Sequence, residues 1–260
     1  LEELCREASR LAMPGFGTAA FDRKADGSPV TDLDRAVEDH LRAGLERIAP
    51  GVPVIGEEGG GQAEATGYAW VVDPIDGTRA FVAGIPTWCV SVGLLHDATP
   101  VLGVLALPSG PEGDLIVGGD GVPLTRAGRP VAPVGPTHCG AVCAFVPSDA
   151  HRRYELDLPG RVRSLGSTAL HLALVATGGA LAALVHESHL WDLAGAMALL
   201  RAAEVQFTHL DGAPLFPGDH LDGSTIDGPL LAAPCWAWDD MARQIHPNGT
   251  PWAGTDCCRG

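Results

Sequence analysis

Trp70-Val71-Val72-Asp73-Pro74-Ile75-Asp76-Gly77-Thr78 is the stretch on which the reading of this chain turns. An apolar run ends in two carboxylates, Asp73 and Asp76, and is closed by Pro and by Asp-Gly. That is the pattern of a buried strand delivering acids into a tight turn. Such a turn can hold a divalent metal ion. Where the turn leads into a helix, the amides of Gly77 and Thr78 lack intrahelical partners and can meet an anion. Metal-assisted phosphate chemistry is the first expectation.

Working outward, a chain of 260 residues has room for one large or two medium cores. The formal net charge of −15 argues against a nucleic-acid partner, which needs a positive face, and suits a protein that collects divalent cations. A phosphorylated substrate is then recruited by the metals, since the surface itself repels it. No apolar run reaches the ~18 residues that span a bilayer, and no basic segment followed by an apolar core opens the chain. A soluble, cytoplasmic protein with no membrane partner is expected. The seven cysteines form no CxxC pair with metal spacing and read as reduced, mostly buried thiols. Abundant Ala and Gly point to tight backbone packing.

Along the chain, Leu1, Leu4, Cys5, Ala8 and Leu11 fall on one helical stripe. Gly15 to Ala20 imitates a dinucleotide fingerprint but follows a helix instead of a strand, so it reads as a helix end. Thr31 is the expected cap of a second helix, with Asp34 as its acidic partner. A short strand then runs into Gly56-Glu57-Glu58-Gly59. Beyond the central stretch, Trp88 to Leu95, Val101 to Leu107 and Leu115 to Val117 read as an antiparallel meander. The Pro- and Gly-rich stretch from Gly128 to Pro136 divides an N-terminal α+β half, residues 1–135, from a C-terminal α/β half, residues 136–260. In the second half a strand at Ala141 to Val146 leads to a capped helix at Thr168 to Thr177 and a strand at Ala180 to Val185. A helix from Leu193 follows, with Asp192 as its N-cap. His186-Glu187-Ser188-His189 lacks the one-turn spacing of a zinc helix, so zinc is not expected.

Each acid has an ordinary explanation alone, as a cap or a solvated turn. Together Asp34, Glu57, the pair Asp73 and Asp76, and Asp192 offer the several carboxylate oxygens that Mg²⁺ needs. Two metals about 4 Å apart can clamp the attacking and leaving oxygens of a phosphoryl transfer. Asp73-Pro74-Ile75-Asp76-Gly77-Thr78, Gly56-Glu57-Glu58 and Trp191-Asp192-Leu193-Ala194-Gly195, in this order, resemble the inositol monophosphatase family of Mg²⁺-dependent, lithium-sensitive phosphatases.

The resemblance implies an αβαβα layered sandwich, often as a homodimer, acting on small phosphorylated substrates. By it, Glu57, Asp73 and the carbonyl of Ile75 hold a first Mg²⁺, and Asp73, Asp76 and Asp192 a second, with a third leaning on Glu57 through water. Thr78, paired with Asp34, orients and helps deprotonate the attacking water, and the amides of Gly77 and Thr78 cradle the phosphate. Ser167 and Thr168 lie in the substrate loop. Val185 stands where relatives carry an acid that meets the substrate, and Glu187 is its nearest replacement. An inositol 1-phosphate-like polyol or sugar phosphate is the leading substrate class. Histidinol phosphate is the alternative, because Phe81 to Trp88 and Pro29 to Glu38 lean towards that branch. A 3′-nucleotide phosphatase or a catalytically silent binding protein are the remaining readings.

Overall fold

The computed structural model describes residues 1–24, 29–108, 114–132, 135 and 143–248. Helix α1 (Glu2–Ala12) buries Leu4, Cys5, Ala8 and Ala12 along one stripe and places Glu2 and Glu3 at its positive end. The ladder of β1 (Asp22–Arg23) with β2 (Pro29–Val30) leads into α2 (Asp32–Ile48), capped by Thr31 as expected. Gly44 lets α1 approach, since a Cβ there would lie 2.3 Å from Leu4.

A seven-stranded sheet follows. β3 (Val54–Gly56) lies parallel to β4 (Tyr68–Asp76), and the short α3 (Thr78–Val82) leads into β5 (Cys89–His96). β5 continues into an antiparallel meander with β6 (Thr99–Leu107), β7 (Asp114–Gly119), β8 (Val122–Arg126) and β9 (Arg129–Pro130). The meander is longer than the sequence reading: β8 buries only Leu124 and β9 is a two-residue exposed strand, so neither carries an apolar alternation. The division at 135/136 falls beside residues 136–142, so Pro136 and the start of the strand placed at Ala141 lie outside the described residues.

The second half contributes β10 (Cys143–Phe145), α4 (Ala150–Arg153), β11 (Tyr154–Leu156), β12 (Arg161–Arg163), α5 (Thr168–Ala176), β13 (Ala182–Ser188), α6 (Leu190–Ala202), β14 (Val205–His209), β15 (Ile226–Pro234), α7 (Cys235–Ala242) and β16 (Ile245–Pro247). Its sheet has the order β12-β10-β13-β15-β14, parallel over the first three and antiparallel at β15, while β11 and β16 form a separate ladder.

Three cores define the layers. Leu4, Leu41, Leu45, Trp70 and Trp88 pack α1 and α2 on one face of the large sheet. Leu105, Ile116, Leu172, Leu193 and Leu199 fill the space between its other face, α5, α6 and the small sheet. Ala144, Leu231, Trp238 and Met241 cover the outer face of the small sheet with α7. The order is helix, sheet, helix, sheet, helix, the expected αβαβα sandwich.

Small residues bring α6 unusually close to the large sheet. A Cβ at Gly103 would fall 2.0 Å from the Gly195 carbonyl oxygen, one at Gly93 2.8 Å from the Ala194 backbone, and one at Gly195 2.6 Å from Ser91 Oγ. This close approach carries Asp192, on the first turn of α6, onto the end of β4. α6 begins at Leu190, earlier than the sequence reading, so Asp192 is the third helical residue and His189 the N-cap. The apolar periodicity from Leu193 marks only the buried part of the helix, and the first turn is partly exposed.

Candidate active site

In a regular strand Asp73 and Asp76 would point to opposite faces. Opposite β5, however, Asp73 pairs with Ser91 and Asp76 with Cys89, so β4 carries one residue more than its partner between these points. The bulge contains Pro74, whose missing N–H is tolerated there, and it turns both carboxylates to one side. The Ile75 amide donates to Asp73 Oδ1 at 3.0 Å and fixes the kink. Gly77 then turns the chain at φ 96°, where a side chain would be strained and its Cβ would meet Ser167, Gly166 and Thr87 within about 3 Å.

Asp73, Asp76 and Asp192 come together: one carboxylate oxygen from each lies within 4.8 Å of the others. Asp73 and Asp76 are buried and Asp192 is partly exposed. Burial, then the charges of Glu57, Asp76, Asp192 and Asp34, raises the Asp73 carboxyl well above its ordinary value. Burial and the charge of Asp76 do the same to Asp192. Three acids gathered with so little solvent repel one another until a cation joins them, and an all-oxygen donor set is the chemistry of a hard divalent ion. The residues fit Mg²⁺.

Glu57 stands beside this trio without belonging to its tightest contact. Its Oε1 accepts from Lys24 Nζ at 2.7 Å, and the same ammonium reaches Glu58 at 2.6 Å. Burial pushes the Glu57 carboxyl up to about 7, against the pull of Lys24. Among the described residues Lys24 is the cation paired with Glu57.

Asp34 is fully buried on α2. Its Oδ2 accepts from the Thr31 amide at 2.7 Å and the Thr31 hydroxyl at 2.6 Å, while Thr78 Oγ lies 3.3 Å from Oδ1 and 3.1 Å from the Ile75 carbonyl. Burial raises the Asp34 carboxyl and the Thr31 bonds lower it. Gly77 and Thr78 are half-buried at the start of α3. The Ile75 carbonyl is thus shared with the Thr78 hydroxyl.

The four substrate candidates are dispersed. The Ser167 hydroxyl and the Ala169 amide donate to Asp76 Oδ2 and the Thr168 amide to Oδ1, so the first turn of α5 grips Asp76. Val185 is 3% exposed in the core between the sheets and presents nothing to a ligand. Its place as a substrate contact is corrected by that burial, because β13 continues beyond it to Ser188. Glu187 is exposed at a bulge with φ 45°, and Arg153 holds its two carboxylate oxygens at 3.3 Å each. Sequence reading also missed Glu38, one helical turn after Asp34, which is buried and accepts from the Glu58 and Gly59 amides. The i, i+4 spacing from Asp34 was the available signal.

The profile of the inositol monophosphatase family matches residues 1–232. The chain belongs to the inositol monophosphatase family. It is therefore a hydrolase of phosphate monoesters from a metal-dependent family. A histidinol-phosphatase of Mycobacterium tuberculosis is 37% identical over 88% of this chain and 92% of its own length. The inositol-1-monophosphatase ImpA of Mycolicibacterium smegmatis is 36% identical over 96% of this chain and 91% of its own. Among solved structures, an inositol monophosphatase of Thermotoga maritima superposes with a TM-score of 0.79 at 20% identity, covering 93% of both chains, a likeness of fold. Among the described residues no helix is long and apolar enough to cross a membrane.

Proposed function

We propose that this member of the family is a Mg²⁺-dependent phosphomonoesterase for a small polyol or sugar phosphate of the inositol 1-phosphate kind. The observation that carries the metal part is the convergence of Asp73, Asp76 and Asp192 within 4.8 Å beside Glu57. Asp73, Glu57 and the Ile75 carbonyl would hold one ion, and Asp73, Asp76 and Asp192 another. Bound Mg²⁺ would supply an activated water and neutralise phosphate charge. Thr78 Oγ, close to both Asp34 Oδ1 and the Ile75 carbonyl, would orient a water and relay a proton to Asp34 Oδ1. Burial raises the Asp34 carboxyl, which makes it the better proton acceptor. The amides of Gly77 and Thr78 hold the phosphate. Ser167 and Thr168 act through their grip on Asp76.

A second substrate, histidinol phosphate, is favoured by one observation: the Mycobacterium tuberculosis relative 37% identical over 88% of this chain is a histidinol-phosphatase. A phosphate-release assay with Mg²⁺ on inositol 1-phosphate, histidinol phosphate and a 3′,5′-bisphosphate nucleotide separates the readings. Turnover of the nucleotide alone would sink both. The same proposal makes the enzyme a lithium-sensitive cytoplasmic homodimer binding two or three Mg²⁺, with its halves meeting near 135/136. Sedimentation of the purified protein and a Li⁺ titration of its activity check the assembly and the inhibition.

A further inference from the structure

Glu38 and Arg42 occupy no part of the cluster of acids, yet they carry the turn on which Glu57 stands. Glu38 is 1% exposed, and its carboxylate accepts from the Glu58 amide at 2.7 Å, the Gly59 amide at 2.8 Å and Arg42 Nε at 2.8 Å. A buried carboxylate needs such donors, and a turn offering two successive amides is a natural partner. Arg42 extends the grip to both ends of the turn, donating to the Val54 carbonyl at 3.0 Å and to the Gly60 carbonyl at 2.6 Å. The Gly56 amide closes the turn on the same Gly60 carbonyl at 2.9 Å.

The fit leaves no slack. A Cβ at Gly56 would lie 2.4 Å from Glu38 Oε1, and one at Gly59 2.7 Å from the same atom. The two glycines therefore rest their backbones directly on the carboxylate, and Glu57 between them has its direction set by that seat. Because Glu38 follows Asp34 by one turn of α2, one rigid helix fixes both the partner of Thr78 and the turn bearing Glu57.

We propose that Glu38, braced by Arg42, is a positioning residue for the metal centre: by seating the Gly56–Gly60 turn it holds the Glu57 carboxylate beside Asp73, ready to share a divalent ion. This rests on the metal-centre reading given above. Supporting residues of this kind change metal affinity by about 10- to 100-fold when removed. The ion that Glu57 helps to hold would keep Asp73 and the Ile75 carbonyl, so saturating metal restores turnover.

The test is calorimetric titration of Mg²⁺ into the metal-free full-length protein, for the parent, Glu38→Gln, Glu57→Gln and the double variant. Glu38→Gln weakens binding at least about tenfold, and the double variant binds within about twofold of Glu57→Gln, because Glu38 acts only through Glu57. In assays the Mg²⁺ half-saturation of Glu38→Gln rises while kcat at saturating Mg²⁺ returns towards the parent. Arg42→Met, which keeps Glu38 but removes its brace, shifts affinity in the same direction and serves if Glu38→Gln does not fold. Affinities of Glu38→Gln and Arg42→Met within about twofold of the parent, or losses that add to that of Glu57→Gln, overturn the positioning role. If Glu57→Gln itself binds Mg²⁺ like the parent, the metal-centre assignment of Glu57 fails, and the proposal with it.

Discussion

Asp34 and Asp192 hold the same local position in two different helices. Each is the third residue of its helix, and each uses Oδ2 to accept the amide of its N-cap, Thr31 at 2.7 Å and His189 at 2.6 Å. Their surroundings then diverge. Around Asp34 the donors are neutral, two from Thr31 and one from Thr78, and the carboxylate is completed by hydroxyls. Around Asp192 the charges that raise it are acids, Asp76 and Glu57, opposed by Lys24, and with Asp73 and Asp76 it forms a group that could hold a cation. A shared capping geometry thus serves two chemistries, and the packing around the carboxylate decides which.

The sharpest way to break this comparison is to neutralise each acid. Asp192→Asn should cut Mg²⁺-dependent phosphate release by at least about 10³-fold, since several kcal/mol of charge stabilisation go with an ion's ligand. Calorimetry should show weakened Mg²⁺ binding in the same variant. Asp34→Asn should lower kcat by about 10²-fold while Mg²⁺ affinity stays within about twofold of the parent, because Asp34 handles a proton and not the ion. Equal losses of affinity in the two variants would show that the two caps do not differ in chemistry.

Stability without metal should divide the pair in sign. In chelator-treated protein, Asp192→Asn removes one of three mutually repelling acids while its remaining oxygen still accepts the His189 amide, and should raise Tm. Asp34→Asn replaces one of two accepting oxygens by an NH2, so either the Thr31 bonds or the Thr78 bond is lost, and should lower it. The pH dependence follows from the same facts. Burial and like charge raise the folded-state Asp192 carboxyl well above its ordinary value of 3.8. Between those values the folded chain binds more protons than the unfolded one, so metal-free stability falls as pH rises through that window. Chemical denaturation at stepped pH should show this slope in the parent and a flatter one in Asp192→Asn. The Asp34 shift is opposed by its hydrogen bonds, so Asp34→Asn should flatten the slope less. The smallest effect is that of Thr31→Ala, about 1 kcal/mol of stability from the lost cap, read from the same denaturation curves. Its kcat should fall modestly through the loosened Asp34.

Much of this was legible in local pattern. Thr31 and Asp34 form a capping box that their spacing announces, and Asp73-Pro74-Ile75-Asp76-Gly77-Thr78 reads as strand, kink and turn from its residue types. Asp192 was found by its motif but placed three positions too early in its helix, as the N-cap instead of the third helical residue, because Trp191 and Asp192 are partly exposed and interrupt the apolar pattern of the first turn. Val185 and Glu187 show where spacing misleads: β13 is buried on both faces as far as Val185, and a bulge past His186 exposes Glu187. Glu38 was missed although it lies one helical turn after Asp34, because an acid in mid-helix usually faces water. Only the seated turn shows that it does not.

The sequence by itself determined the acids, the turns that present them and the family to which the chain belongs, since caps, Asp-Gly turns and strand endings depend on neighbours a few residues away. The tertiary structure decided which acids meet. Asp192 reaches Asp73 and Asp76 because Gly93, Gly103 and Gly195 let a helix of one half lie against the sheet of the other, and Glu57 is aimed by a carboxylate on a separate helix. The physical reason is reach: caps, turns and backbone torsions act locally along the chain, while charge repulsion, close packing and the hydrogen bonds that packing permits act through space, between residues that the sequence keeps far apart.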